Sequence, residues 1–297
     1  MSESGLSLSI FNIGFSAVVD GPGQRLVVYC KGCNLRCPWC AAPESIDFAP
    51  QVMFYSERVT DPADAITSCP HGAVYLDGDV IRRDVLVCKE CSEHDCINSC
   101  HPAFELVGQI VSVESLVERA KRYKAFFGKS GGVTIGGGEP TCQFDSLRSL
   151  LNNLKNLGIH IAIETNGTNA DLPLLYELID LLYIDFKHPD PAYYPGDSGE
   201  HVLHNIRQRY LQGGQMIVRF PLVSGYNADP STLHLFGEVL ATVGAVKVEV
   251  LPYHTRGYTK WAACGLEPDL SLKVPTKSEM DEAVGILRSY GLDVFGG

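Results

Sequence analysis

The sequence predicts an α/β protein, an open, partial, TIM-like (β/α)6 barrel interrupted by a small cysteine-rich insert. Three observations predict it. Short β-branched runs alternate with amphipathic stretches of helical period, the pattern of βαβ units around a parallel sheet. Six such units fall short of the eight that close a barrel. Between the first run and the first long helical stretch, residues 46–108 carry no long helical pattern, several Pro and Gly, and five cysteines. The expected division is therefore 1–45 with 109–297 as the barrel and 46–108 as the insert. At 297 residues and 45% hydrophobic composition the chain can bury a sizeable core.

The strands expected are 26–30, 133–136, 159–164, 181–186, 216–221 and 246–251. Amphipathic helices are expected over 112–127, 144–157, 172–182, 199–212 and 230–243. A last helix over 277–290 begins after Pro275-Thr276, with Glu279 placed to complete a capping box. Within the insert, Asp77-Gly78 marks a hairpin turn between 73–76 and 79–81.

Lys plus Arg number 24 against 35 Asp plus Glu, a net charge of −11. That balance argues against a broad basic face and so against nucleic acid as the main partner. No stretch approaches the ~20 apolar residues of a membrane helix, and the first residues lack the basic flank of a signal peptide. A cytoplasmic protein with no membrane partner is expected. The eleven cysteines are then unusual, because disulfides are rare in the cytosol and clustered thiols there bind metal or do chemistry. Cys142 and Cys264 stand alone and read as small buried hydrophobes.

Each expected strand is followed at once by polar or glycine-rich sequence. In order these are the cysteine loop Cys33–Cys40, then Gly136-Gly137-Gly138-Glu139-Pro140, then Glu164-Thr165-Asn166-Gly167. Asp185 and Lys187, Arg219, and Pro252-Tyr253-His254 complete the series. Barrel active sites lie at the carboxyl ends of the strands, so six such segments in register point to one site at the mouth. Cys33-x3-Cys37-x2-Cys40 offers three thiolates, which suits a 4Fe–4S cluster with one open iron. A zinc site or a redox pair is the alternative. Cys30 lies inside a strand and is expected to be buried.

The loop Gly32-Cys33-Asn34-Leu35-Arg36-Cys37-Pro38-Trp39-Cys40 resembles the signature of radical S-adenosylmethionine enzymes. Asp20-Gly21-Pro22-Gly23-x-Arg25, Ser130-Gly131-Gly132-Val133-Thr134, Gly137-Gly138-Glu139-Pro140, Asp185-x-Lys187, Leu251-Pro252-Tyr253-His254 and Lys260-Trp261 narrow the resemblance to the glycyl radical enzyme activating enzymes. It runs from about residue 10 to the C-terminus. The resemblance implies that the open iron chelates S-adenosylmethionine, that one electron frees a 5′-deoxyadenosyl radical, and that the target is a glycine Cα of a partner glycyl radical enzyme. A flavodoxin or ferredoxin would be the reductant, under anaerobic conditions. Trp39, Cys40 and Ala41 would line the adenine. Gly138 would meet the methionine amino group, Asp185, Phe186 and Lys187 would hold the ribose and carboxylate side, and His254 would lie against the adenosine. Glu164-Thr165 stands where relatives carry an Asp-Thr pair that helps hold the amino group or a monovalent cation, so Glu164 would be a cofactor-binding residue, and its extra methylene leaves the cation open. Asp20, Gly21, Pro22 and Gly23 would shape the edge that receives the partner's loop. A radical enzyme acting on a small molecule or peptide is the alternative; a ferredoxin-like electron carrier is another.

The insert resembles a ferredoxin-like domain that has lost half its cysteines. Cys88-x2-Cys91-x4-Cys96-x3-Cys100 is one run; of the other only Cys69-Pro70 remains. In two-cluster ferredoxins the fourth Cys of each run serves the other cluster. One auxiliary 4Fe–4S cluster on Cys69, Cys88, Cys91 and Cys96 is expected, with Cys100 as the rival for the place of Cys69, and a zinc site on the same run as a further alternative.

Overall fold

The computed structural model describes residues 5–16, 20–99, 102–244 and 246–296. Its centre is one sheet of six parallel strands with the expected positions: β2 (Arg25–Cys30), β8 (Gly132–Gly137), β9 (His160–Thr165), β10 (Leu181–Asp185), β11 (Met216–Leu222) and β12 (Lys247–Pro252). Three further strands extend it. A short β13 (Asp293–Gly296) adds in parallel to β12, while β1 (Ser7–Ser16) and β7 (Gln109–Ser112) add antiparallel beyond β2. The order is β13-β12-β11-β10-β9-β8-β2-β1-β7, so the curved sheet stays open as a partial β/α barrel.

Its outer face is covered by α3 (Val113–Tyr123), α4 (Phe144–Asn156), α5 (Ser198–Leu211), α6 (Pro230–Ala241) and α8 (Lys277–Ser289). α4 shows why these segments fold as helices: Leu147, Leu150, Leu151 and Leu154 repeat at helical spacing and are all buried. α8 opens with the expected capping box, Thr276 and Glu279 each bonding the other's backbone N–H. The helix expected over 172–182 is instead a 3₁₀ segment, Leu172–Leu178. Beyond it, Asp180 caps the neighbouring strand by accepting from Ile161 N at 2.8 Å.

The cysteine-rich insert carries little regular structure. β3 (Gln51–Phe54) pairs antiparallel with β6 (Phe104–Val107). Two six-residue helices, α1 (Pro62–Thr67) and α2 (Val85–Glu90), flank a hairpin of β4 (Val74–Asp77) and β5 (Val80–Arg83). Its turn is Gly78-Asp79, one residue later than expected, because the left-handed backbone falls at Gly78. α7 (Tyr258–Ala263), after β12, packs on β3. No helix among the described residues is long and apolar enough to cross a membrane.

Candidate active site

The carboxyl ends of β2, β8, β9, β10, β11 and β12 all contribute to a cavity of about 310 Å³. Cys33, Cys37 and Cys40 line it together with Trp39, Ala41, Gly138, Glu164, Asp185, Lys187, Arg219 and His254. The six polar segments of the sequence are thus brought to one place. Phe186 is the exception, for strand alternation turns its ring into the core against Phe236. Cys30 is fully buried in the core.

The thiols fit a metal cluster better than acid–base chemistry. Burial raises all three, Cys33 to about 12 and Cys40 to about 11, so unligated they stay protonated. Metal ligation replaces those protons. Lys187 supplies a half-buried positive charge beside them. Burial opposes that charge, but the Asp185 carboxylate outweighs it and holds the ammonium protonated. Its Nζ lies 2.8 Å from Asp185 Oδ2.

The glycine turn is pressed against the cysteine loop. Gly138 N donates to Cys30 O at 2.8 Å, and a Cβ on Gly138 would lie 2.4 Å from Gly32 O. Only glycine permits that approach. Glu139 next to it is fully buried and accepts four hydrogen bonds: from Thr141 N and Oγ1, Thr165 Oγ1, and Asn166 N. It ties the turn after β8 to the turn after β9. Asn166 in turn donates to Asn34 Oδ1 at 2.9 Å and approaches Cys33 Sγ at 3.9 Å. These supporting roles of Glu139 and Asn166 were missed, although both residues lie within the quoted motifs.

Inside the barrel Arg219 donates to Glu164 Oε1 at 2.6 Å and to Glu249 Oε2 at 2.9 Å, over the ring of Tyr183. Glu164 therefore has a guanidinium as its counter-charge. Arg219 also lines a second cavity of about 880 Å³ that reaches Gly21 and Pro22. That stretch lies at the amino end of β2, away from the cysteine loop. Asp20 O accepts from Thr134 Oγ1, and Arg25 holds Pro22 O at 3.1 Å.

In the insert, Cys96 lies within electrostatic range of the sulfurs of Cys69, Cys88 and Cys91. Cys100 lies outside the described residues. His71, Cys91 and Glu93 also converge, with ligand atoms within 4.8 Å of one another; the spacing had not singled out this group. Cys264 is buried as expected and accepts from Gln51 Nε2 at 3.2 Å. Cys142, expected in the core, is exposed. It lies in the short 3₁₀ turn Pro140–Gln143, where Pro140 and Thr141 take the buried face.

The radical SAM superfamily model matches residues 27–227. The 4-hydroxyphenylacetate decarboxylase activating enzyme of Clostridioides difficile (strain 630) is 33% identical, over 95% of this chain and 92% of its own. The indoleacetate decarboxylase activating enzyme of Tractidigestivibacter scatoligenes is 29% identical, over 97% and 96%. The trans-4-hydroxy-L-proline dehydratase activating enzyme of Clostridioides difficile is 34% identical, over 85% and 86%. With three thiols, a glycine turn and an ion-paired lysine around one cavity, and with relatives matching nearly end to end, the chain belongs to the radical SAM superfamily, as an activating enzyme related to those of several glycyl radical enzymes.

Proposed function

We propose that this chain installs a glycyl radical on a partner enzyme, using a 4Fe–4S cluster on Cys33, Cys37 and Cys40 and S-adenosylmethionine. The convergence of six strand ends on a cavity that holds three thiols carries this reading. When bound, the cluster and S-adenosylmethionine supply a 5′-deoxyadenosyl radical that takes hydrogen from a glycine Cα. The protein binds, orients and excludes water. Lys187 is placed to meet a carboxylate, and the Gly138 backbone to accept from an ammonium. Asp185 and His254 flank the nucleoside side, with Trp39, Cys40 and Ala41 at the adenine. Leu35, Ile46, Pro221 and Leu251 give the cavity apolar walls. Arg219 supplies positive charge at Glu164, a reading that needs no monovalent cation there.

The partner's loop would enter by the second cavity, past Gly21 and Pro22, toward Arg219, which lines both cavities. The division into barrel (1–45 with 109–297) and ferredoxin-like insert (46–108), with one auxiliary 4Fe–4S cluster on Cys69, Cys88, Cys91 and Cys96, is part of the same reading. A flavodoxin or ferredoxin would deliver the electron.

Glycyl radical enzymes of the kinds named by the relatives, decarboxylases and a dehydratase, form the panel for a test. Reduced enzyme and S-adenosylmethionine are incubated anaerobically with each, and the paramagnetic resonance spectrum is recorded. A glycine-type doublet is expected with the cognate partner and is lost when its glycine is changed to Ala. Cofactor cleavage without a doublet on any partner would favour a small-molecule or peptide substrate; no cleavage would favour an electron carrier.

A further inference from the structure

One short helix, α7, touches both cysteine sites. At its start it is seated on the catalytic loop. A Cβ on Gly257, the residue before it, would lie 3.0 Å from Cys40 O. Trp261 Nε1 donates to that same carbonyl at 2.9 Å, and Lys260 pairs with the buried Glu44. Glu44 Oε2 is buried with no hydrogen-bond partner, so the Lys260 contact is what steadies that carboxylate.

At its end α7 is seated on the insert. Arg83, the last residue of β5, forks: Nη2 donates to Ala263 O at 2.9 Å, while Nη1 reaches Val52 O and lies 3.8 Å from Cys88 Sγ. Ala263 and Cys264 pack with Met53, Tyr55 and Val107. Beyond them a Cβ on Gly265 would lie 2.2 Å from Val85 Cγ2. A continuous series of contacts therefore runs from Cys88 through Arg83, Ala263 and Trp261 to Cys40.

We infer that Arg83 is a positioning residue that couples the insert's cysteine site to S-adenosylmethionine binding at the barrel mouth, through α7. The inference rests on the function proposed above. A guanidinium is a planar, rigid fork, so its two contacts fix each other's positions. Partners of the atoms around a metal ligand set that ligand's orientation, and here the partner of Cys40 belongs to a helix whose other end is fixed by Arg83. Coupling of this kind is reciprocal: what the insert does to ligand affinity, the ligand does to the insert.

The test uses the full chain, iron-loaded under anaerobic conditions. Equilibrium binding of S-adenosylmethionine is compared for wild type, Arg83→Met, Trp261→Phe and the double variant. Each single change should weaken binding at least about 5-fold, and the double should be no weaker than the worse single. The second readout is the midpoint potential of the insert's cluster, taken in a chain with Cys33, Cys37 and Cys40 changed to Ala. Arg83→Met should lower it, because a cationic donor near a ligand sulfur favours the reduced cluster. Arg83→Lys should keep the potential yet lose the affinity, since one ammonium cannot bridge sulfur and carbonyl; it carries the test should Arg83→Met lose iron. Tight wild-type binding with an unaffected Arg83→Met variant, or losses that simply multiply in the double, overturns the inference alone. A wild-type chain that binds no S-adenosylmethionine overturns the proposed function as well.

Discussion

The two cysteine-bearing regions are built by opposite means. The loop of Cys33, Cys37 and Cys40 hangs from β2, which pairs in parallel with β8 and antiparallel with β1, in a sheet whose Ile161, Ile163 and Val218 are fully buried. The loop is held by hydrogen bonds from Gly138, Asn166 and Trp261. The insert has two two-stranded ladders, two six-residue helices and a small cluster of its own around Phe54, Val74 and Ala103, while Met53, Tyr55 and Val107 pack against α7. Leu86 is 77% exposed, Val80 54% and Leu76 48%. A fold with so little apolar burial depends on metal or cross-links for stability. On the function proposed above, the barrel would present thiols to a cluster from a packed sheet, whereas the insert would need metal on its thiols for its order.

The largest effect expected from this contrast is on activity. Changing Cys37 to Ala should abolish S-adenosylmethionine cleavage, a loss of orders of magnitude, while leaving the barrel folded. Cys30→Ala should retain cleavage, because that thiol lies in the core. Equal loss in both would show that the buried thiol is a ligand. The next effect is on order. Chelating the iron should open the insert to proteases between residues 67 and 102 and strip its amide protection, with the barrel's protection unchanged. Simultaneous loss in both regions would erase the distinction.

Six strands and the segments that follow them were legible because apolar runs ending in Cys, Gly or charge leave a strong local mark. β1 was missed although Leu8 and Ile10 alternate correctly. A register shift between Ile10 and Asn12 interrupts the period, and β7 and β13 are edge strands of four residues. The site's residue types were readable, but its bracing was not. Glu139 is explained by donors up to 27 residues away, and Trp261 by a carbonyl 221 residues away. Contacts of that separation leave no periodicity or spacing. Phe186 shows a different limit, since a motif position is not a side-chain direction.

The wiring of the insert sharpens the contrast further. In a chain lacking Cys33, Cys37 and Cys40, changing Cys69 to Ala should take iron from about four per chain toward zero and bleach the cluster's absorbance. Cys100→Ala should change both far less. The reverse order would replace the crossed arrangement with a local one.

The smallest effect belongs to the barrel alone. Asp229 caps α6, accepting from Thr232 N at 2.9 Å and Thr232 Oγ1 at 2.6 Å. Its slight burial works against the charge, but the Ser231 and Thr232 donors outweigh it and hold the carboxyl down at about 2. The depressed value means that its contribution is complete above the unfolded-state value of 3.8 and is lost as pH falls toward 2. Asp229→Ala should cost about 1 kcal/mol at pH 7, discounted for its exposure. By denaturant titration the cost should be equal in metal-loaded and metal-free protein and should vanish near pH 2. A cost that depended on metal would tie the barrel's stability to the clusters.

The four donors gathered on Glu139 make the turns after β8 and β9 a single body. Gly138 and Asn166 cannot drift apart without stripping a buried carboxylate of its partners. The conformational entropy of both turns is therefore surrendered when the chain folds, well before any ligand arrives. What enters the cavity meets a surface already at rest, and its binding is spared the ordering of those turns.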